Sequence, residues 1–389
     1  MRQALHGLCG AAVVAAVMAS AAGAGAQERG AADATASAAY HIVVANESSD
    51  LVSRLTFTPG QGLVVDGTVP VGVMPADVDG PHGITVSPDG RYWFVSLAHG
   101  TPFGSVWKFT TEGDSLVGRV NLGLFPATMG ITPDGQFLFV VNFNLHGDPV
   151  PSSVSVVHAP TMTEVARPTT CVMPHGSRVN AAGTKQYSAC MHSEQVVEID
   201  TRTFQVSARY SVAPGHERAL ALDDTGGHGA HAASTPDAVC SPTWVQPAKG
   251  GRANRYVYVP CNKAAEVLEI DTERWEVTRR FPSGAGPYNM DVTPDGRLLL
   301  VTLKGAQGVQ IIDLDTGKER ARIATTQPVT HGVVVTPDGR YAFVTNEAIG
   351  STRGTVDVID LARLERVASA ELEYQSGGID LYVAGSARR

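Results

Sequence analysis

"THGVVVTPDGRYAFVTN", residues 330–346, decides the fold. Two runs rich in valine and aromatic residues flank Pro-Asp-Gly, whose residues accept the backbone angles of a tight reversal, so the stretch reads as a β-hairpin. The same pattern recurs as PHGITVSPDGRYWFVSL (81–97), PATMGITPDGQFLFVVN (126–142) and PYNMDVTPDGRLLLVTL (287–303). A third strand follows, as in VQIIDLDTG (309–317) or VDVIDLARL (356–364), and then a fourth, as in ERARIAT (319–325). Each unit is therefore four strands.

Weaker copies complete the series when the last residue of the second strand serves as an anchor. The anchors are Asn46, Leu97, Asn142, Cys190, Cys261, Leu303 and Asn346, spaced 51, 45, 48, 71, 42 and 43 residues apart. Seven four-stranded units at that period predict an all-β, seven-bladed β-propeller with antiparallel blades. Asn46 has no Pro-Asp-Gly hairpin partner upstream, while SGGIDLYV (376–383) matches PHGITV with nothing after it. The C-terminal strand should therefore pair into the N-terminal blade and close the ring, which removes open sheet edges.

The PDGRYAFVTN … VDVIDL pattern resembles the YVTN-repeat β-propeller family over about residues 40 to 383. That resemblance implies an extracytoplasmic propeller and says little about its reaction.

The N-terminus fits export. Met1-Arg2, an Ala/Val-rich run from Leu8 to Ala22 and Ala24-Gly25-Ala26 have the layout of a cleavable signal peptide, with cleavage expected after Ala26. The expected division is signal peptide 1–26, flexible segment 27–39, a single propeller 40–384 and a tail 385–389. Removing 1–26 takes away Arg2 and Cys9, leaving 29 Lys+Arg against 38 Asp+Glu, a net of −9, and four cysteines. That sign argues against nucleic acid and anionic membranes, and no other run is long enough to be a transmembrane segment. Cys171 with Cys190, and Cys240 with Cys261, are expected to be disulfides, because adjacent strands hold facing residues in range.

Strand direction gathers certain residues at one end of the ring, the top. Aligned on the turns, His82, Ala127, His175, Ser241, Tyr288, His331 and Gly377 share one position. Glu47, Ala98, Phe143, Met191, Asn262, Lys304 and Glu347 follow the second strands, with His99 and His192 one residue further on. The long connection at about 215–240 carries His216, His228 and His231 and is expected to hang over the top.

The recurrence of histidine at one ring position points to a funnel that binds a ligand. His82, His175, His331, Glu47 and Glu347 are the candidate catalytic groups, since imidazole and carboxylate together move protons near neutral pH. His82, His99, His175, His192 and His331 are the candidate ligands of a transition metal, Cu, Zn or Mn. Tyr288, Asp77, Asp79, His228 and His231 are candidate ligand-binding residues. Met173, Met191, His146 and His158 read as packing or isolated residues.

Streptogramin lyase is similar in fold and implies catalytic histidines in Pro-His-Gly repeat starts, matching His82 and His175, with His331 following Thr330. An acidic residue precedes one such Pro-His there; Gly80 and Met173 hold those places here. The nitrous oxide reductase propeller looks similar in placing a His-bound copper cluster on top. It uses more histidines and a cupredoxin domain for which this chain has no room. Covalent haem and nucleotide cofactors are not expected: Cys-x-x-Cys-His, Gly-x-Ser-x-Gly, the phosphate loop and the dinucleotide fingerprint are all missing. Non-covalent haem d1 on a top-face histidine is compatible by fold analogy. The expected function is small-molecule binding in a His/Glu-lined funnel, with redox or lyase activity. The alternative is a non-enzymatic platform for a protein or glycan.

Overall fold

The structure, a computed structural model, describes residues 39–74, 76–99, 103–226 and 238–383. The signal peptide, His228 and His231 lie outside them. Seven antiparallel sheets form a ring of blades.

Blade 2 shows the pattern: Pro81–Val86 is innermost, followed outward by Tyr92–Leu97, Ser105–Thr110 and Leu116–Asn121. Blade 1 takes its innermost strand, Ser376–Val383, from the far end of the chain, where it pairs with Tyr40–Asn46. The expected ring closure is present. Apolar alternation buries residues between adjacent blades, so the cores are wedges that surround the axis. Trp93, fully buried and stacked on Phe109 at 4.1 Å, anchors the wedge between blades 1 and 2.

The repeated turn has a chemical reason. In blades 2, 3, 6 and 7 the hydroxyl before Pro-Asp-Gly donates to the aspartate and accepts the backbone N–H of the returning strand, as Thr336 does with Asp338 and Tyr341 at 2.6 and 3.0 Å. Gly90, Gly135, Gly296 and Gly339 supply the positive φ, 70 to 76°, that closes each turn. The anchor asparagines are clamps as well: Asn142 Nδ2 donates to Ser153 and Ser155 hydroxyls, both at 2.9 Å, tying the second strand to the third.

Both expected disulfides are present. Cys240–Cys261 lies within blade 5, where neighbouring Pro242 bridges Cys261. Cys171, however, lies on Thr169–Val172, which pairs with the third strand of blade 3, whereas Cys190 ends a strand of blade 4. That disulfide therefore fastens one blade to the next instead of closing within a blade. For a loop of 19 residues the chain-entropy term is about 3 kcal/mol. A Cys171→Ala/Cys190→Ala variant should lose roughly that amount in urea unfolding; a loss below about 1 kcal/mol would show that the blades hold without it.

Residues 215–226 run beside blade 4. Arg218–Ala219 adds to the outer edge of blade 4, and Arg209 donates to the Leu222 carbonyl at 2.7 Å. The rest of the connection expected to hang over the top, 227–237, lies outside the described residues.

Candidate acid–base site

Every inner strand enters the ring through the same irregularity. Pro81 pairs with Leu97, but Ile84 pairs with Val95, so one extra residue bulges after the ring position. Blades 1, 3, 4, 6 and 7 repeat the shift at the same place. The bulge re-aims the ring residue. In blade 5 Pro242 faces anchor Cys261 as Pro174 faces Cys190, which makes Thr243 the ring residue there. The sequence alignment had placed Ser241 at that position; the bridge corrects it by two residues.

The ring residues are joined by backbone carbonyls. Ser96 donates to Ala127 O at 2.6 Å, Thr128 to His175 O, and His175 Nδ1 to Thr243 O at 2.8 Å. Thr243 donates to Tyr288 O at 2.6 Å, Thr302 to His331 O at 2.9 Å, and Thr345 to Gly377 O at 2.6 Å. Each bond runs from one blade to the next, and six of the seven junctions have one. At the seventh, from blade 1 to blade 2, Glu47 instead reaches His82.

Glu47 is 8% exposed and engages three side chains. Its carboxylate accepts from His82 Nδ1 at 3.0 Å, lies 2.8 Å from His99 Nε2 and accepts from Gln375 Nε2 at 2.9 Å. Burial alone would raise the Glu47 pKa, but His82 and His99 outweigh it and hold the carboxyl below its ordinary range. For His82 burial opposes charge, and the Glu47 carboxylate, helped by Glu347, outweighs it and raises the imidazole above its ordinary value. Glu47 thus favours the imidazolium form of His82.

His331 is poised the opposite way. Burial, then Lys304 and the other two histidines, push it well below the ordinary value and keep it neutral. Its Nε2 lies 3.2 Å from Glu347 Oε1, which also accepts from Lys304 Nζ at 3.2 Å. Burial raises the Glu347 carboxyl, with Lys304 countering. His331 Nδ1, the other ring nitrogen, and His82 Nε2 are both buried without a hydrogen-bond partner.

Their rings lie 6.2 Å apart, and between their blades the ring position is Gly377. A Cβ added there would lie 3.5 Å from His331 Nδ1. The glycine leaves open the space beside the unpartnered nitrogen.

His175 is committed elsewhere. Its Nδ1 bonds Thr243 O, its Nε2 accepts from Tyr288 OH at 3.1 Å, and burial lowers its pKa to about 3. It is a brace, and Tyr288 packs with it, 4.6 Å from the His331 ring. No hydrogen bond joins His192 to these groups. Asp77 is exposed, and Asp79 caps its own loop by accepting from Val73 N at 2.6 Å. Among the described residues no group of three or more His, Cys, Asp or Glu is arranged to hold a metal ion. His146, read as isolated, packs 5.5 Å from His99. His158 bonds Thr161 at 2.8 Å and packs against Phe137, away from the ring histidines. Met173 and Met191 pack against the core as expected. Gln375 is a member of the site that carried no sequence signal, and Lys304, aligned with Glu47 and Glu347 after its second strand, joins it as well.

No protein-family profile and no curated protein matches the chain. Solved structures do match. Hydrazine synthase of Kuenenia stuttgartiensis is 19% identical with a TM-score of 0.60, covering 81% of this chain and 99% of its own. A putative 6-phosphogluconolactonase of Bacteroides fragilis is 13% identical with a TM-score of 0.62, covering 90% and 99%. A dihydro-heme d1 dehydrogenase in complex with its ligand is 17% identical with a TM-score of 0.56, covering 87% and 74%. At these identities the likeness is one of fold. The ring is a seven-bladed propeller.

Proposed function

We propose that this chain is an extracytoplasmic propeller of the YVTN-repeat type that catalyses a lyase reaction on a small molecule at the His82–His331 pair. One observation carries the reading. Two buried imidazoles, 6.2 Å apart, are shifted in opposite directions from their ordinary pKa, and each has one unpartnered nitrogen. Environments that drive two titratable groups apart mark an acid and a base.

In an elimination His331 Nδ1 takes a proton from carbon, the C–H electron pair becomes a C=C bond, and the leaving group departs with the proton of His82 Nε2. Proton return from His331 to His82 restores the site. Glu47 holds His82 and, with Glu347, favours its charge, burial and Lys304 keep His331 neutral, His175 and Tyr288 position the rings, and Gly377 keeps a side chain out of the space beside His331 Nδ1. The two disulfides and the apolar N-terminal run support export. Among the described residues no helix is long and apolar enough to cross a membrane. A non-enzymatic platform would leave the two nitrogens with no role.

The test is nitrogen NMR of the histidines, followed by an elimination screen of small carbon acids bearing a β-leaving group. His82 should titrate above 6.5, while His331 stays neutral as the Nε2–H tautomer. His331→Gln and His82→Gln should each lower turnover by about 10²- to 10⁴-fold, and Gly377→Val should abolish it while the fold is retained. A charged His331 at pH 6.5, or turnover indifferent to both histidines, would end the reading. Near-stoichiometric copper, zinc or manganese in protein purified without chelator, lost in a His82→Ala/His331→Ala variant, would replace it with metal chemistry.

A further inference from the structure

The inner strands enclose a second space along the same axis. A cavity of about 550 Å³ is lined by residues of all seven inner strands, at the end that carries the Pro-Asp-Gly turns. None of the acid–base residues borders it. Four charged side chains do: Arg178, Lys249, Asp291 and Asp380.

The two carboxylates are engaged with the fold. Asp291 accepts from Lys249 Nζ at 2.6 Å, from its neighbour Val292 N at 2.8 Å and from Val335 N of the next blade at 2.9 Å. Asp380 accepts from Val86 N at 2.8 Å, from the Thr85 hydroxyl at 3.2 Å and from Leu381 N at 2.8 Å. They pin inner strands across blade boundaries, and Lys249 is neutralised by one of them.

Arg178 is different. Among the described residues it forms no ion pair, donates one bond to its neighbour's carbonyl, Ser177 O at 3.1 Å, and lies 4.9 Å from the Trp244 ring centroid. A guanidinium has five donors in a planar fork suited to carboxylate, and most of these are unspent. Burial disfavours its charge, and Asp291 and Asp380 offset that only in part.

Beside it stands a second unsatisfied group. Gln246 is 4% exposed and lines the cavity. Its Nε2 donates to Pro247 O at 3.0 Å, which fixes the amide orientation and leaves Oε1 buried with no partner. The cavity thus offers an anion-binding fork, with an unpartnered amide oxygen buried in its wall, against valine and isoleucine.

We propose that this cavity binds a small hydroxycarboxylate, its carboxylate on Arg178 and a hydroxyl donating to Gln246 Oε1. The volume suits a molecule of sugar-acid size. The site is independent of the acid–base pair and stands whether or not that pair is catalytic.

The test is calorimetric titration of the full chain with glycolate, malate, gluconate and galacturonate, beside methyl gluconate and inorganic sulfate. At least one hydroxycarboxylate should bind saturably with Kd below about 1 mM. Arg178→Gln should weaken it by at least about tenfold, Gln246→Met by several-fold, and His331→Gln not at all. Arg178→Lys should fall between, since a point charge replaces the fork. Absence of saturation by all four acids at roughly 10 mM would overturn the proposal. So would equal binding by the uncharged ester or by sulfate, a comparison made on wild-type protein that holds even if the Arg178 variants do not fold.

Discussion

Replacing Glu47 by glutamine is expected to cost about 3 kcal/mol of unfolding free energy near pH 6, the usual penalty for removing one partner of a buried ion pair. The carboxylate is the hub of the seventh junction, and glutamine cannot balance the His82 charge. The pH dependence gives the signature. Glu47 titrates below its ordinary 4.5, so its contribution is complete above pH 4.5 and is lost as pH falls through the depressed value. His82 titrates above its ordinary 6.5, so its contribution is complete below pH 6.5 and is lost as pH rises through the raised value. The pair therefore stabilises most between these two ordinary values. Urea unfolding of wild type and Glu47→Gln at about pH 5.5, 7 and 9 should show a gap that is widest at the first and shrinks toward the last. A gap that does not change with pH would mean that His82 carries no charge in the fold, and would remove the acid from the acid–base pair.

A chain stopped after Gln375 is expected not to fold. It loses the innermost strand of blade 1, with buried Leu381 and the Ser376 hydroxyl that donates to Asn46 Oδ1 at 2.8 Å. It also leaves Tyr40–Asn46 as an open, apolar edge. The loss should exceed the whole net stability of a typical domain, about 5 to 15 kcal/mol. Circular dichroism and size-exclusion chromatography of the truncated chain should show aggregation or loss of cooperative unfolding. A monomer with a wild-type melting curve would show that the ring does not depend on this closure.

The fold was legible in the sequence because its devices are local. A serine or threonine before Pro-Asp-Gly closes its turn within five residues, and the anchor asparagines bind hydroxyls on the next strand. Such bonds recur wherever the words recur, so counting the words counts the blades. Even the ring closure followed, since a missing first hairpin and a surplus last strand have one economical solution. The histidines were legible as a set for the same reason, and as candidates on one face they are indeed neighbours, with His82 6.0 Å from His175 and 6.2 Å from His331.

Their division of labour was not legible. His82 and His175 stand in identical Pro-His-Gly words, yet one is a charged partner of Glu47 and the other a neutral brace between Thr243 and Tyr288. The difference lies in what the neighbouring blade presents: a glutamate after Tyr40–Asn46 for His82, a threonine carbonyl for His175. Arg178 and Gln246 were missed because neither belongs to a motif, and only the closed ring sets one beside the other.

The sequence by itself determined the number of blades, the seam that joins the two ends and the disulfide partners, because each follows from counting the repeats, seeing which one lacks a strand and placing the cysteines against that count. Tertiary structure alone decided the opposite shifts of His82 and His331, the one junction where a carboxylate replaces a carbonyl bond, and the cavity at the other end of the axis. Those depend on burial and on charges that come from different blades, and neither exists until the ring has closed.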